Sequence, residues 1–335
     1  MATHPSKLVL LGTAGGPLPS AVRSGISQAV VVGGRTYLVD CGSGVTRQLR
    51  RARLLSGLHQ VFLTHLHSDH VCDYFNLFLL GWPILQWNLP VDVFGPGGAG
   101  GAGSLPPDDA GRPVPLHNPA NPTPGLVDLT AAQFQAHAYD VNVRMREAGR
   151  HDLSTLVVPH EIAVPTGVGA SAPDRVAPSM EPILVEEDDD VRVTATLVRH
   201  APVFPAFAFR FDTAAGSVVL SGDTAPCPNL VILARGADIL VHEVFDDSPE
   251  PGPGPDDEDE EEAREAARRH HHMVTSHTPL GAVGRIAAEA GVRRLVLTHF
   301  IPGDDVLPDE HWVKGVTGGF DGEVVVGRDL MELPL

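Results

Sequence analysis

The sequence predicts an α/β layered domain in which sheets of short strands are covered by helices. Two observations carry this. Short β-branched apolar runs recur along the whole chain, and helical patterns come between them after an opening cluster of three strands. KLVLLG (7–12), QAVVV (28–32) and TYLVD (36–40) are closely spaced and predict an antiparallel meander. SGVTRQLRRARLL (43–55) has helical spacing and is followed by the strand VFLT (61–64). YFNLFLLGW (74–82) has the apolar periodicity of a core helix, so Tyr74, Phe75 and Trp82, with Trp87 beyond, read mostly as core and only secondarily as pocket wall. VDVFG, VRVTATLV, AFAFRF, SVVLSG, ILVHEV, RLVLTH and EVVVG supply the later strands. TPLGAVGRIAAEAG (278–291) predicts a helix, with Thr278 and Pro279 suited to its start and Gly291 to its end.

Residues 1–335 read as one domain with two interruptions. The Gly/Pro-rich segment 95–125 predicts an extended insertion, and DDSPEPGPGPDDEDEEE (246–262) a disordered acidic loop. The triplet His270 to His272, beside that acidic run, reads as a loop tract with one histidine at the mouth of a cleft.

The formal net charge is −18, but EEDDD (186–190) and DDEDEEE (256–262) hold 12 of the acidic residues, and without them the balance is about −6. The only basic cluster, Arg47, Arg50 and Arg51, fits one helical face. A polyanion needs a basic surface to release counterions, so the balance disfavours a large nucleic-acid substrate and favours a small molecule. No apolar stretch is long enough to cross a bilayer, and the N-terminus lacks an export signal. Cys41, Cys72 and Cys227 show no C-x-x-C spacing, which predicts reduced thiols and a cytoplasmic protein.

The chemistry is concentrated at strand ends. VFLTHLHSDH sets His65, His67, Asp69 and His70 directly behind an apolar run, while other strands end at His200, Asp223 and His299. Side chains at neighbouring strand ends converge on one sheet edge, where α/β proteins place their sites. Imidazole and carboxylate suit zinc, with manganese and iron(II) as alternatives. His65, His67, His200 and Asp223 predict one metal site; Asp69, His70, His299 and Asp223 predict a second, with Asp223 shared and room for a bridging hydroxide.

With these residues on the page, the chain resembles metallo-β-lactamase-fold hydrolases, and most of all the ribonuclease Z and arylsulfatase-like branch. LVLLGTAGGP, YLVDCGSG, the His-x-His-x-Asp-His cluster, GDT (222–224) and SHTPLGAVGRIAAEAGVRRLVLTHF carry the resemblance. It implies a four-layer αββα sandwich binding two zinc ions. The bridging Asp223 is absent from true β-lactamases of this fold and argues against antibiotic hydrolysis. The resemblance also implies that His277 is a general acid or phosphate contact. His242 and Glu243 fall where ribonuclease Z has a His-Glu-Ala-Thr motif, which implies support for His277 or a ligand; Val244 and Phe245 depart from that motif. Asp40 reads as a carboxylate that steadies the ligand loop, and Asp69 as both a ligand and the group orienting the nucleophile. Dimers are common in the family, though no interface is legible.

The expected activity is therefore hydrolysis of a small phosphodiester. Carboxylic ester, lactone or aryl sulfate hydrolysis and cleavage at the 3′ end of transfer RNA are the alternatives. The ribonuclease Z arm that grips transfer RNA has no convincing counterpart in residues 95–190.

Overall fold

The computed structural model describes residues 6–335 except 89, 108–110, 113 and 249–259. In chain order the elements are β1 (Lys7–Gly12), β2 (Ser27–Val32), β3 (Arg35–Val39), α1 (Val45–Arg51), β4 (Leu58–Phe62), α2 (Ser68–Val71), α3 (Tyr74–Leu85) and β5 (Val91–Pro96). Next come α4 (Leu126–Ala136), α5 (Ala138–Glu147), β6 (Val157–Ile162), β7 (Ile183–Glu187), β8 (Val191–Leu197), β9 (Phe207–Thr213), β10 (Ser217–Leu220) and α6 (Pro228–Ala234). The chain ends with β11 (Ile239–Phe245), α7 (Glu260–Ser276), α8 (Leu280–Ala290), β12 (Arg294–Ile301), α9 (Asp309–Thr317), β13 (Glu323–Val326) and β14 (Met331–Pro334).

The strands form two seven-stranded sheets, ordered β14-β1-β2-β3-β4-β5-β6 and β13-β12-β11-β10-β9-β8-β7. The expected meander is present, since β1–β2 and β2–β3 pair antiparallel. From β3 onward the first sheet is parallel, which requires the intervening helices as crossovers.

Each sheet is buried on both faces, and this is why so many strands read as continuous apolar runs. In β1, Val9 and Leu11 face the helices while Leu8 and Leu10 face the other sheet. Three apolar layers result: the first sheet against α1, α3 and α4; sheet against sheet; and the second sheet against α6, α8 and α9. Helix, sheet, sheet, helix is the αββα sandwich. Tyr74, Phe75 and Trp82 belong to the first layer, whereas Trp87 is 73% exposed.

Between the sheets, Phe62 stacks on Phe94 at 5.2 Å and meets the edges of Phe209 at 5.5 Å and Phe211 at 5.2 Å. Phe62→Ala leaves a cavity that neither sheet can close without losing register. It is expected to destabilise the fold by about 3–5 kcal/mol, read as a lowered urea midpoint at unchanged slope.

Local differences from the sequence reading have simple causes. Pro279, not Thr278, is the residue preceding α8, and the Thr278 hydroxyl instead donates to the Thr224 carbonyl oxygen at 2.5 Å. Gly291 does end the helix, at φ 67°. His270, His271 and His272 are not in a loop: α7 runs through them, because the flanking Ala, Arg and Glu residues are good helix formers. Of the acidic stretch 246–262, residues 249–259 lie outside the described residues, and the helix begins at Glu260. Among the described residues, no helix is long and apolar enough to cross a membrane.

Candidate active site

The C-terminal ends of β3, β4, β8, β10 and β12 all reach one edge of the sandwich, and every residue proposed as a ligand stands there. His65, His67 and His200 place ligand nitrogens within 4.8 Å of one another. Asp69, His70, Asp223 and His299 do the same beside them. Asp223 lies between the groups with its two oxygens divided. Oδ2 is 3.9 Å from Nε2 of both His65 and His200, whereas Oδ1 is 3.3 Å from Nε2 of both His70 and His299.

The backbone is bent to achieve this. His299 does not end its strand; it sits in a β-bulge, with Glu243 opposite Thr298 and Val244 opposite Phe300. Its φ of 48° is unusual for a histidine, and the bulge turns the ring toward Asp223. Asp40 likewise adopts a positive φ of 61°. Close approach also requires glycine at two points. A Cβ at Gly16 would collide with the Asp69 side chain, and at Gly222 (φ 58°) one would come within 2.8 Å of the Phe207 carbonyl oxygen.

Hydrogen bonds fix which nitrogen each histidine offers. The His70 Nδ1 lies 2.8 Å from Asp40 Oδ2, and Asp40 Oδ1 accepts from the Thr64 amide at 2.8 Å. His200 Nδ1 faces the Ser276 carbonyl at 2.9 Å, and His65 Nδ1 faces Thr64 Oγ1 at 3.1 Å. Each contact leaves Nε2 aimed into the site, where that of His200 lies 3.2 Å from His67 Nδ1. Nε2 of His65, Nε2 of His70 and Oδ1 of Asp223 are buried without a hydrogen-bond partner. Buried orphan acceptors are costly, and a cation would satisfy all three, so the donor set fits the expected metal pair. Burial would raise the Asp223 carboxyl, but His299 and His70 hold it well below the usual range and keep it charged.

Glu243 and His277 form a second unit against this cluster. His277 Nδ1 lies 2.7 Å from Glu243 Oε2, while Glu243 Oε1 accepts from the Thr224 amide. Burial opposes protonation of His277, yet the Glu243 carboxylate outweighs it and lifts the ring to about 9. His242, on the opposite face of β11, bonds the Glu243 carbonyl oxygen at 2.7 Å and stands outside the cluster. His272 from α7 comes to 5.4 Å from the His277 ring, at the mouth of the site.

Thr64 is the functional residue the sequence reading missed. Its amide and hydroxyl hold Asp40, and its hydroxyl touches His65 and His70. Its place immediately before the cluster was the available signal.

A family model for the metallo-β-lactamase superfamily matches residues 23–271. The chain belongs to that superfamily. Curated relatives of this metallo-β-lactamase-fold chain include a protein named Ribonuclease Z from Mycobacterium bovis, 31% identical over 328 residues, covering 97% of this chain and 96% of the relative. The fold matches the Bacillus subtilis metallo-β-lactamase fold protein YhfI, with a TM-score of 0.62 at 19% identity, covering 98% and 99% of the two chains. It also matches the short form of human tRNase Z, with a TM-score of 0.60 at 20% identity and 98% of each chain covered. The protein is a metallo-hydrolase of this superfamily.

The Asp40–His70 contact leads to a measurable expectation. Asp40→Ala frees the His70 ring to rotate and is expected to weaken metal binding by about 10–100-fold in chelator competition.

Proposed function

We propose that this chain is a phosphodiester hydrolase of the ribonuclease Z type, cutting precursor transfer RNA at its 3′ end. The buried Glu243–His277 pair beside the two-faced Asp223 carries the reading. A leaving ribose hydroxyl is a poor leaving group and needs a proton, whereas an aryl sulfate or aryl ester does not. His277, held protonated by Glu243, is placed to give that proton from Nε2.

His65, His67 and His200 would hold one zinc ion and Asp69, His70 and His299 the other, with Asp223 between them. When bound, the pair supplies an activated water and neutralises charge at the attacked phosphorus. Asp69 orients the attacking water, and Asp40 and Thr64 keep His70 and His65 in register. Thr224 and the Ser276 carbonyl oxygen tie Glu243 and His200 into the same frame.

Composition ranks a small phosphodiester ahead of RNA, and the curated relatives support the reverse order. The acidic turn 186–190 also weighs less than its charge suggests. Asp188 bonds the Tyr37 hydroxyl at 2.7 Å and lies 3.3 Å from His59 Nε2, at the start of β4. That is the end of the sandwich away from the site, about 20 Å off at the rise of strand β8. It does not face an incoming polyanion.

The test is incubation of the zinc-loaded chain with a precursor transfer RNA bearing a 3′ trailer. One cut at the trailer boundary is expected. An intact precursor alongside rapid hydrolysis of a small phosphodiester would favour the small-substrate reading, which the net charge of −18 supports.

A further inference from the structure

A cavity of about 300 Å³ opens directly off the metal cluster on its His67 side. Pro96, Leu105, Val203, Phe204 and Pro205 face Leu66 and His67 across it. Among the described residues no carboxylate, lysine or arginine lines it, and the one ionisable side chain on its wall is His67. The few polar side chains there are already engaged: Ser104 Oγ donates to the Gly101 carbonyl oxygen at 2.6 Å, and Thr123 Oγ1 accepts from the Gly101 amide at 2.9 Å.

The walls are tied to the ligand-bearing segments. Phe204 follows His200 on the same loop, where the Val203 amide donates to the His200 carbonyl oxygen at 2.9 Å. The Phe207 amide donates to the Thr64 carbonyl oxygen at 2.9 Å, next to His65. A group attached to a phosphodiester at the metals therefore has a fixed apolar slot within reach. A wall of this apolar character does not suit a second phosphate. The proline faces and the Phe204 ring suit a flat, weakly polar group.

We infer that this cavity is a subsite for the nucleobase next to the scissile phosphate, with Phe204 as its stacking wall. The inference rests on the phosphodiesterase reading above and specifies its substrate as a nucleotide ester. Stacking on aromatic side chains tolerates any base, so the slot favours nucleotide esters in general over a particular sequence.

The experiment compares adenosine 5′-(4-nitrophenyl phosphate) with methyl 4-nitrophenyl phosphate on the zinc-loaded chain. The two share a scissile bond and a leaving group, and only the first carries a base. The parent is expected to prefer the adenosine ester by about tenfold in kcat/KM, through KM. Phe204→Ala is expected to remove most of that preference, with the methyl ester changed by less than about twofold. Leu105→Asp, at an exposed loop position, serves as a second variant if Phe204→Ala does not fold, and the same loss of preference is expected. Equal treatment of the two esters by the parent, or a preference that survives both substitutions, overturns the inference. If the parent cleaves neither ester and also leaves the precursor transfer RNA intact, the phosphodiesterase reading fails instead. Saturation-transfer NMR with adenosine, and with ribose 5-phosphate as the control lacking a base, then judges the slot alone. Saturation transfer to the adenine protons that disappears in Phe204→Ala supports it, and no transfer to adenosine in the parent overturns it.

Discussion

Asp223→Ala is expected to lower kcat by about 10³-fold or more on any substrate the enzyme cleaves, because lost transition-state stabilisation of several kcal/mol is a factor of that size. The geometry makes this the most damaging single substitution. Oδ1 and Oδ2 face different histidine pairs, so removing the carboxylate weakens both sites at once. It also leaves four histidines crowded together without the negative charge that offsets them. Metal analysis of the variant should show the second ion lost, and a competing chelator should strip the first more readily. His67→Ala, which touches one group only, should do less. Parent-like turnover in Asp223→Ala would remove the shared-ligand arrangement from the account.

His277→Ala is expected to lower kcat by about 10²–10⁴-fold, the range for loss of a positioned general acid. Two readouts separate this from a structural effect. Metal content should stay at the parent value, since His277 completes neither histidine group. The defect should also shrink on a 4-nitrophenyl ester, whose leaving group departs without a proton, and stay full on an ester whose leaving group is a ribose hydroxyl. Glu243→Gln tests the pair from the other side. The carboxylate raises His277, so the protonated form persists to higher pH in the parent. Removing that charge should move the alkaline limb of the rate profile to lower pH. A limb that stays in place would assign it to another group.

The central strands are legible in the sequence because both of their faces are buried, so they read as nearly unbroken apolar runs. The three strands that the apolar pattern does not reveal, β6, β7 and β14, are all at sheet edges. VVPHEI carries a proline, ILVEE is acidic and MELP is short, and these are the features that protect an open edge from pairing with another chain. Three of the four edge strands therefore look least like strands, while the fourth, β13, keeps the β-branched run EVVV. Helix α7 is hidden for a similar reason, since its charged and histidine-rich sequence has no apolar stripe of core-helix type.

At the site, the ligand residues are visible because histidine and aspartate are conspicuous after apolar runs. Their division between the two ions can be argued from spacing. The bulge at His299 cannot, because RLVLTHFI reads as an ordinary strand and only pairing with β11 exposes the extra residue. Nor does ILVHEVF say which side chain faces the cluster. Alternation guarantees that only one of His242 and Glu243 does, and the sheet's packing selects Glu243. The metal cluster and the apolar slot beside it meet at His67, and the slot is built from segments far apart in sequence.

The most direct test of the two-ion account is metal analysis of the purified chain by inductively coupled plasma mass spectrometry. The account predicts two divalent ions per chain, with loss of hydrolysis on chelation and its return on adding zinc back. A chain that holds no stoichiometric metal and still hydrolyses its substrate after exhaustive chelation would contradict it.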